Sequence, residues 1–219
     1  LYHLRYPVMG EGGMPLPDVV VVATTRPETM VGDTAVAVNP DDDRYEDKIG
    51  RTLQLPIIGR EIPVIADDAV EADFGTGAVK VTPGHDPNDW EIGQRNDLEV
   101  IVAIDRSGVM NDEAGPYAGM DAEAARAAIV SDLDEAGYLE KVEDYQHSVG
   151  HCSRCNTAVQ PIPSEQWWVD VRKEYAPGAS LSGASAAAVR DGRIKMFPQR
   201  FENDFLSWMD NIRDWCISR

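Results

Sequence analysis

GTGAVKVTPGHDPNDWEIG, residues 75–93, passes from strand to helix in one short stretch and sets the frame for the rest of the chain. Gly75 and Gly77 flank Thr76, which permits unusual backbone angles and close approach of a ligand. The β-branched run Ala78–Val81 carries Lys80. Asp86 followed by Pro87 reads as an N-cap and first helical position, opening a helix through about Asn96. Asp86 and Asp89 are three residues apart, so helical geometry sets them on neighbouring ground beside His85. Helix capping alone accounts for both acids. A carboxylate at a helix start can also face a pocket, so the two roles coexist.

Upstream lies TTRPETMVGDTAVAV, residues 24–38. A β-run ends at Thr24 and Thr25, and Arg26-Pro27 forces the chain out of the strand. Thr29 follows. A strand-end loop dense in hydroxyls and charge suits recognition of a sugar-phosphate or a carboxyl group. The plainer reading is a turn whose threonines cap backbone groups and whose arginine is a surface charge.

Six strands are predicted: His3–Tyr6, Val19–Thr24, Thr34–Val38, Glu61–Ile65, Ala78–Val81 and Val100–Ile104. Val19–Ala23 and Thr34–Val38 are too apolar for a half-exposed edge, so central or barrel strands are expected there. DAEAARAAIVSDLDEA, residues 121–136, reads as a helix stopped by Gly137. Residues 141–175 look extended and irregular. GASLSGASAAA, residues 178–188, is a linker or a weak helix. Phe205, Trp208, Met209 and Ile212 mark an amphipathic helix over Phe201–Trp215. This mixed order argues for an α+β fold with a β-barrel-like core and peripheral helices.

The chain has 219 residues and a net charge of −18, from 20 Lys+Arg against 38 Asp+Glu. Residues 1–150 hold 11 basic and 30 acidic side chains; residues 151–219 hold 9 and 8. Residues 1–150 are therefore expected to form an acidic core and 151–219 an extension. The charge argues against tight gripping of a polyanion. No apolar run is long enough for a membrane span, and no signal-peptide pattern opens the chain. Both ends look cut, as in a piece of a larger protein. Cys152, Cys155 and Cys216 do not make a disulfide framework, which points to a reducing, cytoplasmic setting. Cys152 and Cys155 have the spacing of half a zinc site, to which His147 or His151 could add a third ligand with the rest outside the chain, but no second C-x-x-C is present and the expectation is no metal. Trp167-Trp168 reads as an interface or core element.

The strings TTRPETMVGDTAVAV, GTGAVKVTPGHDPNDWEIG, HSVGHCSRC, PSEQWWV and DNIRDWCISR together resemble the editing insertion (connective polypeptide 1) of the class I valyl-tRNA synthetases. The resemblance spans nearly the whole chain in motif order. Gly84 and Trp90 stand where that family's pattern has Ala and Tyr. No HIGH or KMSKS string is present, so ATP would belong only to the synthetic part of a longer parent.

The resemblance implies hydrolysis of the 3′-terminal ester of mischarged threonyl-tRNA(Val), with no cofactor required. Threonine and valine are nearly isosteric, and a hydrophobic pocket cannot strongly reject an isostere that adds a hydroxyl. A second site with a buried acceptor can. On this resemblance Asp89 binds the α-ammonium, and Asp86 reads the threonine hydroxyl or orients water. Lys80 and Thr29 line the ester and terminal ribose. Arg26, Thr24 and Thr25 hold the terminal adenosine or its phosphate. Thr82, His85, Gly75, Thr76 and Gly77 are further contacts. Asp89→Ala and Lys80→Ala are expected to lose activity with the fold retained. A zinc-based RNA-docking module and an unrelated Asp/His hydrolase are the competing readings.

Overall fold

The computed structural model describes residues 1–10 and 12–218, which divide into two compact units, Leu1–Pro163 and Ser164–Arg219. This division differs from the one drawn by charge at residue 150 and places Cys152 and Cys155 in the first unit.

The first unit is built on a curled sheet. β1 (Tyr2–Met9) and β2 (Pro15–Thr24) form an antiparallel hairpin in register from Tyr2 opposite Thr24, with an irregularity between Pro7 and Met9. β3 (Ala35–Val38), β4 (Thr52–Gln54), β5 (Glu61–Ala66) and β6 (Ala78–Val81) complete the order β2-β1-β4-β5-β3-β6. β3 runs parallel to β5 and antiparallel to β6. β7 (Leu139–Val142) pairs with β1. The two ends of this order, β2 and β6, lie against each other, so the sheet closes towards a half-barrel. The apolarity of Val19–Ala23 thus reflects the barrel-like curl, not a central place in the ladder.

Alternation sorts the strand faces. Leu4, Tyr6, Val8, Val20, Val22, Val36, Val38, Leu53 and Val64 point into the main core. Ala35 and Ala37, on the other face of β3, pack with Val81 and Ile92. Ile92 belongs to α1 (Pro87–Arg95), capped by Asp86, whose side chain accepts from the Asn88 and Asp89 amides. α2 (Ala122–Glu135), capped by Asp121, closes the main core with Ala125, Ile129 and Leu133. Both helices start and stop within a residue of their sequence signals.

Two expectations need correction. Val100–Ile104 is extended but is not a strand, with one bridge from Ile104 to Met110. Its Ala103 and Ile104 amides donate to the His85 ring instead of to a neighbouring strand. β4 and β7 carry little strand signal in sequence, β4 because it is only three residues long with one buried side chain, and β7 because it is the charged string LEKV. In the second unit, residues 178–188 take the helical of the two expected readings: α3 (Leu181–Arg190) forms there, capped by Ser180. α4 (Phe201–Asp210) stops short of Trp215, which instead enters a short strand, Trp215–Cys216, paired with Trp168–Val169. Among the described residues no helix is long and apolar enough to cross a membrane.

Gly77 enters β6 with φ +79°, and a Cβ there would lie 2.8 Å from the Ala72 carbonyl and 2.9 Å from Asp42 Oδ2, besides striking the Arg44 guanidinium. Gly77→Ala is therefore expected to cost about 1–3 kcal/mol of stability, read as a lowered midpoint in urea denaturation.

Candidate active site

Two loops meet at the open end of the curled sheet. The first leaves β2 at Thr24, and Arg26-Pro27 turns it into a short 3-10 helix, Pro27–Gly32. The second runs from β6 through Thr82 and His85 to α1. Between them lies a cavity of about 330 Å³. Thr24, Thr25, Arg26, Thr29, Lys80, His85, Asp86 and Asp89 all line it, so eight of the residues singled out from sequence converge. Phe74, Tyr145 and His147 contribute aromatic walls. Tyr145 stacks on His147 at 5.9 Å and meets Phe74 edge-on at 6.5 Å.

Thr82 sits beneath the lining, fully buried. Gly75, Thr76 and Gly77 are not in the lining. They form the turn before β6, where Thr76 bonds to Ala78 and the Tyr45 hydroxyl donates to the Thr76 carbonyl.

The protons around Lys80 can be assigned one by one. Lys80 Nζ has three to give, and they go to Thr29 Oγ1 at 2.9 Å, Thr82 Oγ1 at 2.5 Å and Asp33 Oδ1 at 3.3 Å. The Thr29 hydroxyl donates to the Arg26 carbonyl. The Thr82 hydroxyl donates to Asp33 Oδ1, and the Tyr6 hydroxyl donates to Asp33 Oδ2 at 2.7 Å. Asp33 is completely buried. Burial raises its carboxyl above the usual range, while Lys80 and the two hydroxyls oppose that rise. Neither Asp33 nor Tyr6 stood out in the sequence. The available signal was an acid one residue removed from the wholly apolar strand AVAV, where a charge needs a partner.

Asp89 is the half-satisfied acid. Its Oδ2 accepts from the Thr82 amide at 2.8 Å. Its Oδ1 has no hydrogen-bond partner among the described residues, and the residue lines the cavity. Burial, chiefly, raises its pKa to about 6, with Asp86 and Asp33 adding and Lys80 opposing. Asp86 spends Oδ1 on the helix cap and keeps Oδ2 free of protein partners among the described residues.

His85 is closed to proton transfer. Its Nε2 accepts from the Ala103 amide at 2.9 Å and the Ile104 amide at 3.2 Å, which fixes the ring proton on Nδ1, 3.4 Å from the Pro161 carbonyl. Burial lowers its pKa to about 4, with Arg26 and Lys80 adding to the effect. Arg26 is likewise engaged: Nη1 donates to the His85 carbonyl at 2.8 Å, Nη2 to Gln160, and Nε faces Glu28 at 3.4 Å. Glu28, also buried and also not foreseen, is clamped from the other side by Arg126 at 2.8 and 2.9 Å.

Cys152 and Cys155 lie on a turn outside the cavity lining, closed by the Cys152 amide on Thr157 and the Asn156 amide on Cys152. Hydrogen bonding from Thr157 is the largest cause lowering the Cys155 pKa to about 7. Among the described residues no group of three or more His, Cys, Asp or Glu side chains could hold a metal ion.

The fold and the sequence agree on where this site belongs. A solved structure, the GlLeuRS-CP1 crystal structure, superposes with a TM-score of 0.53 at 16% identity, covering 68% of this chain and 99% of its own. The family described as "Leucyl-tRNA synthetase, editing domain" matches residues 43–145. Curated valine–tRNA ligases match end to end: 51% identity in Geobacter sulfurreducens, 53% in Desulfotalea psychrophila and 51% in Thermotoga maritima, each over 100% of this chain. The chain spans 23–24% of the length of these relatives. The fold is thus that of the connective polypeptide 1 editing domain of class I aminoacyl-tRNA synthetases. The chain belongs to the valyl-tRNA synthetase family, as its editing domain, and domains of this kind are aminoacyl-tRNA deacylases.

Two stability outcomes follow from the buried charges. Lys80→Ala strands the Asp33 carboxylate and is expected to cost about 3–5 kcal/mol, so the fold is not preserved at full stability as the sequence suggested. Adding Asp33→Asn should recover much of that loss in urea denaturation. Asp89 has the opposite sense. Its folded pKa, about 6, exceeds the ordinary 3.8, so its contribution holds below about pH 4 and is lost as pH rises through 6. Asp89→Asn keeps the acceptor for the Thr82 amide and removes the charge. It should be more stable than the parent by up to roughly 3 kcal/mol above pH 6, with the difference vanishing below pH 4.

Proposed function

We propose that this domain hydrolyses the 3′-terminal ester of threonyl-tRNA(Val) after misacylation, as the post-transfer editing site of a cytoplasmic valyl-tRNA synthetase. The observation that carries this reading is the pairing, in one small cavity, of a fully bonded buried cation with a carboxylate left half open. Asp89 Oδ1 takes the α-ammonium present in every aminoacyl ester, a charge-assisted contact. Asp86 Oδ2 accepts from the threonine hydroxyl. Valine would leave that acceptor unpaired, at a cost of about 1–3 kcal/mol. Arg26 and the hydroxyl of Thr25, which has no partner among the described residues, border the terminal ribose and its phosphate.

Lys80 has given all three protons to protein oxygens, so it acts chiefly through its field. A positive charge fixed at the cavity wall favours the negative charge that develops on the ester carbonyl oxygen. The ester is already activated, and positioned water suffices as nucleophile. His85 is not the base, because both ring nitrogens are committed to the backbone. ATP would enter only through the synthetic portion of a full-length parent, and the tRNA would be held mainly there.

Single-turnover deacylation of paired threonyl- and valyl-tRNA(Val) tests the reading. Threonyl-tRNA should be hydrolysed and valyl-tRNA spared, with Asp86→Ala losing the discrimination and Asp89→Ala losing most of the rate. Equal hydrolysis of both esters would contradict it. Because proposed recognition needs ionised Asp89, the rate should rise with pH through about 6.

A further inference from the structure

Two buried acids flank one buried cation. Asp33 and Asp89 both feel the Lys80 charge, but only Asp33 touches it. Asp33 is tied down from two further directions, by the Tyr6 hydroxyl on Oδ2 and the Thr82 hydroxyl on Oδ1. Thr82 separates the two acids: its hydroxyl serves the Lys80–Asp33 pair, and its amide serves Asp89 Oδ2. Asp89 Oδ1 has no partner among the described residues, and Asp89 lines the cavity that Lys80 also lines.

A lysine has a flexible four-carbon stem and a compact charge. Without a fixed partner, the Lys80 ammonium would gain by turning to an unpaired carboxylate in its own cavity, and Asp89 is joined to it through a single residue, Thr82, whose hydroxyl holds Lys80 and whose amide holds Asp89. The contact so formed would be the one that a substrate ammonium makes. Resting on the reading of Asp89 as the ammonium acceptor, we propose that Asp33 is a positioning residue that keeps Asp89 open to substrate by holding Lys80 in a separate, hydroxyl-bridged ion pair. Specificity for an amine-bearing ester then depends on a residue that never meets the substrate.

The test compares single-turnover hydrolysis of threonyl-tRNA(Val) with that of its N-acetyl derivative, which lacks the α-ammonium. The ratio of the two rates is the readout, so a general loss of activity does not affect it. The parent should prefer the free amine by about tenfold or more. Asp33→Asn should abolish the preference, as Asp89→Ala does. Asp33→Asn combined with Lys80→Met should restore it, because no lysine remains to occupy Asp89. A folded Asp33→Asn protein that keeps the full preference overturns the proposal, as does a double variant that fails to regain it. If Asp33→Asn does not fold, Thr82→Val removes the bridging hydroxyl while keeping shape and the amide bond to Asp89. It should lower the preference several-fold, and an unchanged preference again overturns the proposal. Absence of any amine preference in the parent would instead remove the Asp89 reading on which the proposal stands.

Discussion

A buried lysine ammonium in the wall of a small cavity is the constraint around which the first unit is arranged. Such a charge is tolerated only if every proton finds an oxygen. Lys80 meets that demand with Thr29 and Asp33 on the loop after β2 and with Thr82 just past its own strand, and Tyr6 of β1 secures the far oxygen of Asp33. Three pieces of chain distant in sequence are thereby fixed against one another. The curl of the sheet, which brings β2 up to β6, is what allows those pieces to meet.

The same arithmetic leaves a deliberate remainder. Lys80, Asp33, Thr82 and His85 are fully bonded, whereas Asp86 and Asp89 each retain one oxygen without a partner among the described residues. Stability and proposed function pull in opposite directions at Asp89: burial raises its pKa, so ionising it opposes folding, yet an ionised carboxylate is what an ammonium needs. Strain of this kind is common where a protein must recognise charge. It also changes the meaning of the net −18. The acidity is spread over the surface of the first unit, while the cavity mixes Arg26 and Lys80 with Asp86 and Asp89. An acidic module of this design is suited to one nucleotide end and its amine. It is poorly suited to gripping a duplex, for which multiple phosphate contacts are required.

Sequence reading found the helix starts because Asp86-Pro87 and Asp121 carry their own stereochemistry, and it found eight cavity residues because they cluster in two motifs. It missed what depends on distant partners. The apolar run 100–104 was indistinguishable from a strand, because the residue that claims its amides, His85, lies far upstream in sequence. Asp33 and Glu28 were passed over inside a quoted motif, since an acid declares itself as buried only when its partners, Lys80 and Arg126, are placed beside it. Gly75–Gly77 was read as a ligand loop from its flexibility. The structure uses Gly77 to pass between Arg44, Asp42 and the Ala72 carbonyl, a packing need that composition does not reveal.

Direct titration of the Asp89 carboxyl by ¹³C NMR, with and without a non-hydrolysable threonyl amide of adenosine, bears most closely on this arrangement. In the free protein the carboxyl should titrate near 6, and the bound amine should pull it down towards the ordinary carboxylate range. An ordinary value in the free protein, or a raised value unmoved by the ligand, would contradict an open Asp89 reserved for the substrate ammonium.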